Sequence, residues 1–253
     1  PALSLVPEIH WLWLVDVQRR LAAALAKRWR VPHVSEAMGA VLDEVEAVLI
    51  TVPNHLHASL ALQALERGKA VLCEKPLGRT SDEARRMAET ARQAGMPLVA
   101  AMIARQYPSL QLMQRAFPWN SLGALKAIQA SYGAAIDWPL ASLSLFTRDQ
   151  AGGGAMLDLG IHALDALCWV LSLEHITAVR YRDDSDIGLD TEAQADLRLG
   201  LPEGRGEIAC ALEVSRVRTL ANRIDIVGER ASLRVPITST GEPSSTRSWV
   251  ARF

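Results

Sequence analysis

The sequence is short of the features that would assign it quickly. It has three cysteines in 253 residues, Cys73, Cys168 and Cys210, far apart and with none in a CxxC pair. That spacing excludes a disulfide framework and a cysteine-ligated zinc site. Charge of one sign is also lacking. Twenty-seven basic residues against 28 acidic ones give a net charge of −1, so neither nucleic acid nor an anionic membrane is expected as a partner. Long apolar runs are missing too. Each is short and cut by charge, so no segment is expected to span a bilayer. The opening, PALSLVPEIHWLWLVD, has neither the basic start nor the small-residue cleavage site of a signal peptide. There is no internal repeat and no low-complexity stretch. The one polar, turn-rich segment is TSTGEPSSTRS, 238–248. These absences together read as a soluble cytoplasmic protein.

Apolar residues are not scarce: 49% of the chain is hydrophobic, ample for one large core or two domains. Over the first hundred residues two patterns alternate. The runs 9–15 (IHWLWLV), 45–52 (VEAVLITV), 69–75 (KAVLCEK) and 97–102 (PLVAAM) read as strands, and VEAVLITV as one buried on both faces. Between them, 18–29, 57–68 and 81–95 read as helices. The last opens at Ser81 as the N-cap and ends at Gly95. Strand and helix in turn predict right-handed crossovers and a parallel sheet. After about residue 104 the rhythm changes. Period-two segments at 124–134, HITAVRYR, TEAQADLRLGL, RGEIACALEVS, NRIDIVG and ASLRV predict an antiparallel sheet. One helix-like stretch, 160–172, lies among them. The predicted division is therefore 1–104 and 105–253.

In a parallel sheet, ligands bind at the carboxyl ends of the strands. Three candidates fall there. Asp16 closes the first run, where a carboxylate accepts hydrogen bonds from an adenosine ribose; it also suits a helix cap. In TVPNHLH, 51–57, Asn54 either caps the next helix or offers its amide to a cofactor, while His57, read alone, suits the surface. In VLCEKPLGRT, 71–80, Lys75 follows a buried strand and precedes Pro76, which biases it away from helical angles. An amine there suits a solvated turn or a cleft rim where it stabilises a substrate oxygen. A fourth place is GGGAMLDLGIH, 152–162. Asp158 and His162 stand four apart, one helical turn if both lie in the helix. Imidazole suits proton transfer near neutral pH, and Gly152–Gly154 would let backbone approach a ligand closely. A capping Asp158 and a satisfied, partly buried His162 are the plainer alternatives. No further His or Cys sits at ligand spacing, so no metal is expected.

In the order TVPNHLH, GKAVLCEKPL, GGGAMLDLGIH, the chain resembles the Gfo/Idh/MocA oxidoreductases, glucose-fructose oxidoreductase and inositol dehydrogenase among them. MIARQYPSLQLMQRA is similar to the stretch where that family leaves its first domain. The resemblance implies an α/β fold: a Rossmann-type parallel-sheet domain, then an α+β domain with a large, mostly antiparallel sheet. It implies NAD or NADP, with NAD favoured because Asp16 would repel a 2′-phosphate, though Arg19 and Arg20 are near. It implies a sugar, polyol or related hydroxy or keto substrate, and a homo-oligomer formed through the open sheet face. Carried over by motif, Lys75, His162 and Asp158 are catalytic. Asp16, Thr51, Pro53, Asn54, His57, Glu74 and Lys75 face the cofactor, Glu74 also holding Lys75 or its backbone. Pro76 is expected to be cis. Trp138, Phe146 and Arg148 would line a substrate pocket or the core. The family's GxGxxG, expected about twenty residues before Asp16, is not in the sequence. The first strand, the phosphate loop and the closing elements are thus expected to be missing, and a chain of this length to bind cofactor poorly. A dinucleotide-binding regulator without catalysis, or a purely structural module, is the competing reading.

Overall fold

A computed structural model of the protein describes residues 6–10, 13–116, 119–135, 143–185 and 189–238. Trp138 and nearly all of the polar segment 238–248 lie outside them, as do Trp11 and Leu12 of the first predicted strand. The chain divides into two compact units, Pro1–Ala101 and Met102–Phe253.

The first unit alternates strand and helix. Its elements are β1 (Trp13–Val15), α1 (Arg19–Trp29), β2 (His33–Ser35), β3 (Ala47–Ile50), α2 (Asn54–Glu66), β4 (Ala70–Cys73), α3 (Ser81–Ala94) and β5 (Leu98–Ala100). All pairings are parallel, β1 with β2 and β3-β4-β5 in order. The strands thus form a two-stranded and a three-stranded sheet, with no ladder joining β1 to β3 among the described residues. Read in doubly wound order, β2-β1-β3-β4-β5, the ladder is interrupted between β1 and β3 among the described residues. Ala61, Ala64 and Leu65 of α2 and Met87 of α3 pack with Ile50, Val71 and Cys73 into one core.

Two expectations are corrected here. The parallel strands are not buried on both faces: Leu49, Leu72 and Val99, in register across β3, β4 and β5, are 38%, 38% and 52% exposed. The apolar run VEAVLITV carries alternation hidden by its uniform chemistry, since hydrophobic side chains occupy both faces while the core takes only one. The N-cap of α3 is Thr80, whose hydroxyl accepts the Glu83 N–H, and not Ser81.

The second unit holds α4 (Pro108–Ala116), β6 (Leu125–Gly133), α5 (Arg148–Ala151), a π-helical turn (Met156–Gly160), α6 (Ile161–Leu171) and β7 (His175–Asp183). It continues through β8 (Glu192–Gly200), β9 (Glu207–Ser215), β10 (Arg223–Gly228) and β11 (Ser232–Pro236). One six-stranded sheet runs β11-β10-β6-β9-β8-β7. The sheet is mixed, because β6 and β9 pair in parallel while every other pair is antiparallel. Alternation along a strand reports which face is buried and is silent on the direction of the neighbour, so this pair was not legible as parallel. Ala193, Ala195, Leu197 and Leu199 of β8 and Ile208, Cys210, Leu212 and Val214 of β9 point into a core shared with Ala163, Ala166, Leu167 and Val170 of α6. The opposite face stays open. One correction concerns hydropathy: the helical run Arg148–Leu171 is long and apolar enough to cross a membrane by length and composition, and half of its most apolar stretch is buried inside this unit. Arg148, Asp149, Asp158 and Asp165 are the charges that make the run look interrupted.

Candidate functional site

In the first unit, the predicted residues gather where strands end. Asp16 follows β1, its N–H bonded to the Ser35 carbonyl 3.1 Å away. One carboxylate oxygen accepts the Gln18 N–H at 2.7 Å, closing the turn into α1. Asp16 thus closes a two-residue turn ahead of α1 and does not cap the helix, whose N-cap position is Gln18 with no side-chain cap bond. Arg19 lies 3.8 Å from Glu36. After β3, Thr51 is exposed and Pro53 takes the N-cap position of α2 with no side-chain cap bond, so Asn54 opens the helix and does not cap it. The Nδ1 atom of His55, one residue on, is buried and has no hydrogen-bond partner among the described residues.

His57 is not the surface residue its position in the sequence suggested. It is 1% exposed. Its Nδ1 lies 2.7 Å from the Pro76 carbonyl oxygen and its Nε2 2.8 Å from that of Val52. The ring bridges the loops that follow β3 and β4.

The loop after β4 carries Lys75. The Glu74 N–H donates to the Ile50 carbonyl at 2.9 Å, extending the ladder one residue beyond the strand. The Glu74 carboxylate accepts the Lys75 N–H at 3.2 Å, and the Lys75–Pro76 bond is cis. Farther along, Glu83 accepts the Arg79 backbone N–H and its guanidinium, each at 2.7 Å. Burial raises the Glu83 carboxyl, but the hydrogen bonds from Arg79 and Thr80 outweigh it and leave the group below the usual carboxylate range. Both ends of the Lys75 loop are thereby tied to the scaffold. Below it, Cys73 is fully buried, and desolvation, then the Glu74 charge, pushes its thiol up to about 12. A dinucleotide fits this rim in part. A carboxylate stands at the end of β1 for a ribose diol, a helix start with the buried, unserved His55 nitrogen follows β3, and an amine follows β4. The glycine-rich GxGxxG loop that would cradle a pyrophosphate is not in the sequence.

In the second unit, the glycine cluster has a different purpose from the one its composition suggested. Gly152 ends α5 at φ 83°. A side chain on Gly154 would come within 2.1 Å of the Asp190 carbonyl oxygen and 2.3 Å of its nitrogen. The close approach is therefore between two backbones of the same chain. Asp190, 5% exposed, holds the segment: Oδ1 accepts the Gly154 N–H at 3.1 Å, Oδ2 the Met156 N–H at 2.7 Å, and its carbonyl the Ala155 N–H at 2.7 Å. A carboxylate placed on the first free N–H groups of a helical run satisfies them and complements the helix dipole.

The run so anchored carries Asp158 in the π turn and His162 in the first turn of α6. π turns are uncommon and recur at functional sites. Asp158 Oδ2 accepts from the Arg216 guanidinium at 3.2 Å, with Arg216 only 5% exposed. Removing one member of such a buried pair costs about 3–5 kcal/mol. The Arg216 guanidinium carbon lies 6.0 Å from the centre of the Phe146 ring, at cation–π distance. His162 is 7% exposed, and its ring centre is 5.4 Å from that of Tyr132. Burial raises the Tyr132 phenol, with smaller contributions from Tyr107 and Asp158. Asp158, His162, Tyr132, Arg216 and Phe146 thus form one polar-aromatic group, with Asp190 behind it. Among the described residues no group of three or more His, Cys, Asp or Glu side chains is placed to hold a metal. Asp190, Arg216 and Tyr132 escaped the sequence reading. Each stands at or near the end of a predicted strand, and only the fold reveals that these strand ends converge on the start of α6.

Comparison with known proteins agrees with both halves. Residues 7–102 match the oxidoreductase family with an NAD-binding Rossmann fold, Gfo/Idh/MocA, and residues 110–234 match the Gfo/Idh/MocA C-terminal domain. The levoglucosan dehydrogenase of Pseudarthrobacter phenanthrenivorans is 30% identical over 158 residues, 60% of this chain and 40% of the relative. The trans-1,2-dihydrobenzene-1,2-diol dehydrogenase of Sus scrofa is 30% identical over 195 residues, 76% of this chain and 55% of the relative. The chain thus spans about half the length of these curated relatives. A solved levoglucosan dehydrogenase in complex with NADH and levoglucosan superposes with a TM-score of 0.77 at 23% identity, over 92% of this chain and 68% of that one. On its two domain matches, its parallel-sheet and mixed-sheet units and its EKP and D-x-x-x-H segments, the chain belongs to the Gfo/Idh/MocA oxidoreductase family.

Proposed function

We propose that this chain carries the catalytic groups and part of the dinucleotide site of an NAD-dependent dehydrogenase or reductase. Its substrate is a sugar, polyol or related small molecule reacting at a hydroxyl- or keto-bearing carbon. The observation that carries the reading is the setting of Lys75, at the carboxyl end of β4 with its own N–H held by Glu74 and the next carbonyl by His57. The nicotinamide cofactor, when bound, supplies or accepts the hydride. Lys75 donates a hydrogen bond to the reacting substrate oxygen and favours its alkoxide-like form. His162 takes the hydroxyl proton during oxidation and returns it during reduction, an effect of about 10²–10⁴-fold. Asp158 keeps the buried Arg216 neutralised and orients His162 or the substrate. Asp16 serves the ribose and disfavours a 2′-phosphate, while Thr51, Pro53 and Asn54 line the cofactor side. The relatives' names, a levoglucosan dehydrogenase and a dihydrobenzenediol dehydrogenase, support a compact hydroxylated substrate.

The same proposal has the protein act in the cytoplasm, where the free thiols of Cys73, Cys168 and Cys210 suit a reducing medium. It also has two copies meet through the open sheet face. That face bears opposite charges in alternation: Arg180 with Asp196 at 3.9 Å, and Asp225 between Arg223 at 2.6 Å and Arg234 at 2.7 Å. A self-complementary, mixed-charge face suits a two-fold interface.

The test mixes the whole protein with NAD and a panel of sugars and polyols and follows NADH absorbance. Turnover on at least one member is expected. Dinucleotide binding without turnover would establish the regulator reading, and no dinucleotide binding the structural one. A monomeric mass by light scattering would remove the sheet-face interface.

A further inference from the structure

We propose that His57 is a positioning residue, donating from both ring nitrogens at once to hold the Lys75 loop against the loop that follows β3. The two atoms it faces are backbone carbonyl oxygens, Pro76 at 2.7 Å and Val52 at 2.8 Å. A carbonyl oxygen accepts hydrogen bonds and offers no proton. A neutral imidazole has one N–H and one lone pair, so either neutral tautomer would serve one carbonyl and press a lone pair against the other. Turning the ring over does not help, since it places carbon atoms where nitrogens are needed. Only the imidazolium, protonated at Nδ1 and Nε2, satisfies both contacts. The ring is 1% exposed, so water does not replace either carbonyl.

The location of the clamp gives it a role. The ladder between β3 and β4 ends with the Glu74 N–H on the Ile50 carbonyl. Beyond that point the strands diverge into the two loops of the rim, and His57 spans them with its two ring bonds. Lys75 sits between the last ladder bond at Glu74 and the clamped carbonyl of Pro76, so both of its neighbours are fixed. His57 itself rides on the first turn of α2, whose Ala58, Ala61 and Leu65 are anchored in the core. Core packing is thereby transmitted to the one loop whose placement the proposed chemistry needs. His57 is in this account a support beneath the rim and does not touch the cofactor, in contrast to the contact role carried over from the family motif. Glutamine cannot replace it there, because both of its N–H groups sit on a single nitrogen that reaches one of the two carbonyls.

The inference rests on the proposed role of Lys75, and two readouts keep the two apart. The first is the nitrogen NMR spectrum of the whole protein with labelled histidine, assigned by His57→Gln. At neutral pH the His57 ring is expected to show two bonded N–H groups and two protonated-type nitrogens. One protonated and one bare nitrogen would overturn the clamp, whatever the enzyme does. The second is kinetic. For His57→Gln we expect kcat to fall on the order of 10- to 100-fold, the cost of a displaced reacting group, with the dinucleotide KM within twofold of wild type. A folded His57→Gln protein with unchanged kcat would refute the positioning role. Should that variant not fold, the wild-type spectrum decides. Full turnover in Lys75→Ala with the two-proton spectrum intact would sink the catalytic reading and leave His57 a structural clamp.

Discussion

Replacing Asp190 by alanine is the most exacting probe of how the second unit is built. Both carboxylate oxygens accept backbone N–H groups, from Gly154 at 3.1 Å and Met156 at 2.7 Å, and the residue is 5% exposed. A hydrogen bond to a charged group contributes about 1.5–3 kcal/mol. Two of them, with both donors left unserved in a buried place, give about 3–6 kcal/mol for Asp190→Ala. Asp190→Asn keeps one acceptor and sets an amide N–H against a backbone N–H, so it should fall between alanine and wild type. For a domain of this size each kcal/mol moves Tm by about 2–4 °C, so the alanine variant should melt on the order of 10 °C lower. Urea unfolding followed by circular dichroism, with the slope compared between variants, measures the difference. Gly154→Ala is the partner experiment: its Cβ would lie 2.1 Å from the Asp190 carbonyl oxygen, and overpacking against backbone costs typically ~1–3 kcal/mol or more. An Asp190→Ala protein within about 1 kcal/mol of wild type would refute the clasp, because the two N–H groups would then be shown to find other acceptors.

Other outcomes follow from the same physics. The Cys73 and Cys210 thiols are pushed up to about 12 by burial, with the Glu74 charge adding at Cys73, so both should resist a disulfide reagent at neutral pH and react together on unfolding. Rapid labelling of either in the native protein would contradict their burial. At Asp225, burial raises the carboxyl but the Arg234 and Arg223 hydrogen bonds outweigh it, leaving it below its ordinary value. A depressed folded-state value stabilises above the unfolded carboxylate pKa and is lost as pH falls through the folded one. The stability gap between wild type and Asp225→Asn should therefore be widest near neutral pH and close on acidification. A gap that instead widens as the pH falls through the carboxylate range would reverse the sign.

The strand–helix rhythm of the first unit was legible because each element carries its own period and stop signal: AVLI, AVLC and LVA for strands, Gly95 with φ 65° after α3. The period-two strands of the second unit were legible for the same reason. What stayed hidden depends on contacts between distant segments. Nothing near Gly154 in sequence announces that Asp190 will press on it. Nothing near His57 announces carbonyls from Val52 and Pro76 on both ring nitrogens, so a histidine on a polar turn read as surface. The buried Asp158–Arg216 pair joins residues 58 apart, and only chain folding brings them together. Lys75, Asp158 and His162, the proposed catalytic residues, stand out by motif; the residues that brace them do not, since bracing is done by whichever side chain the fold delivers.

The most direct test of the proposal that Lys75 and His162 are both catalytic is a double-mutant kinetic cycle in the whole protein. Lys75→Ala and His162→Ala are each expected to lower kcat by about 10²–10⁴-fold while dinucleotide affinity is kept. The double variant should fall little below the worse single one, as residues working as a unit do. Losses that multiply, or a single variant turning over at the wild-type rate, would contradict the account.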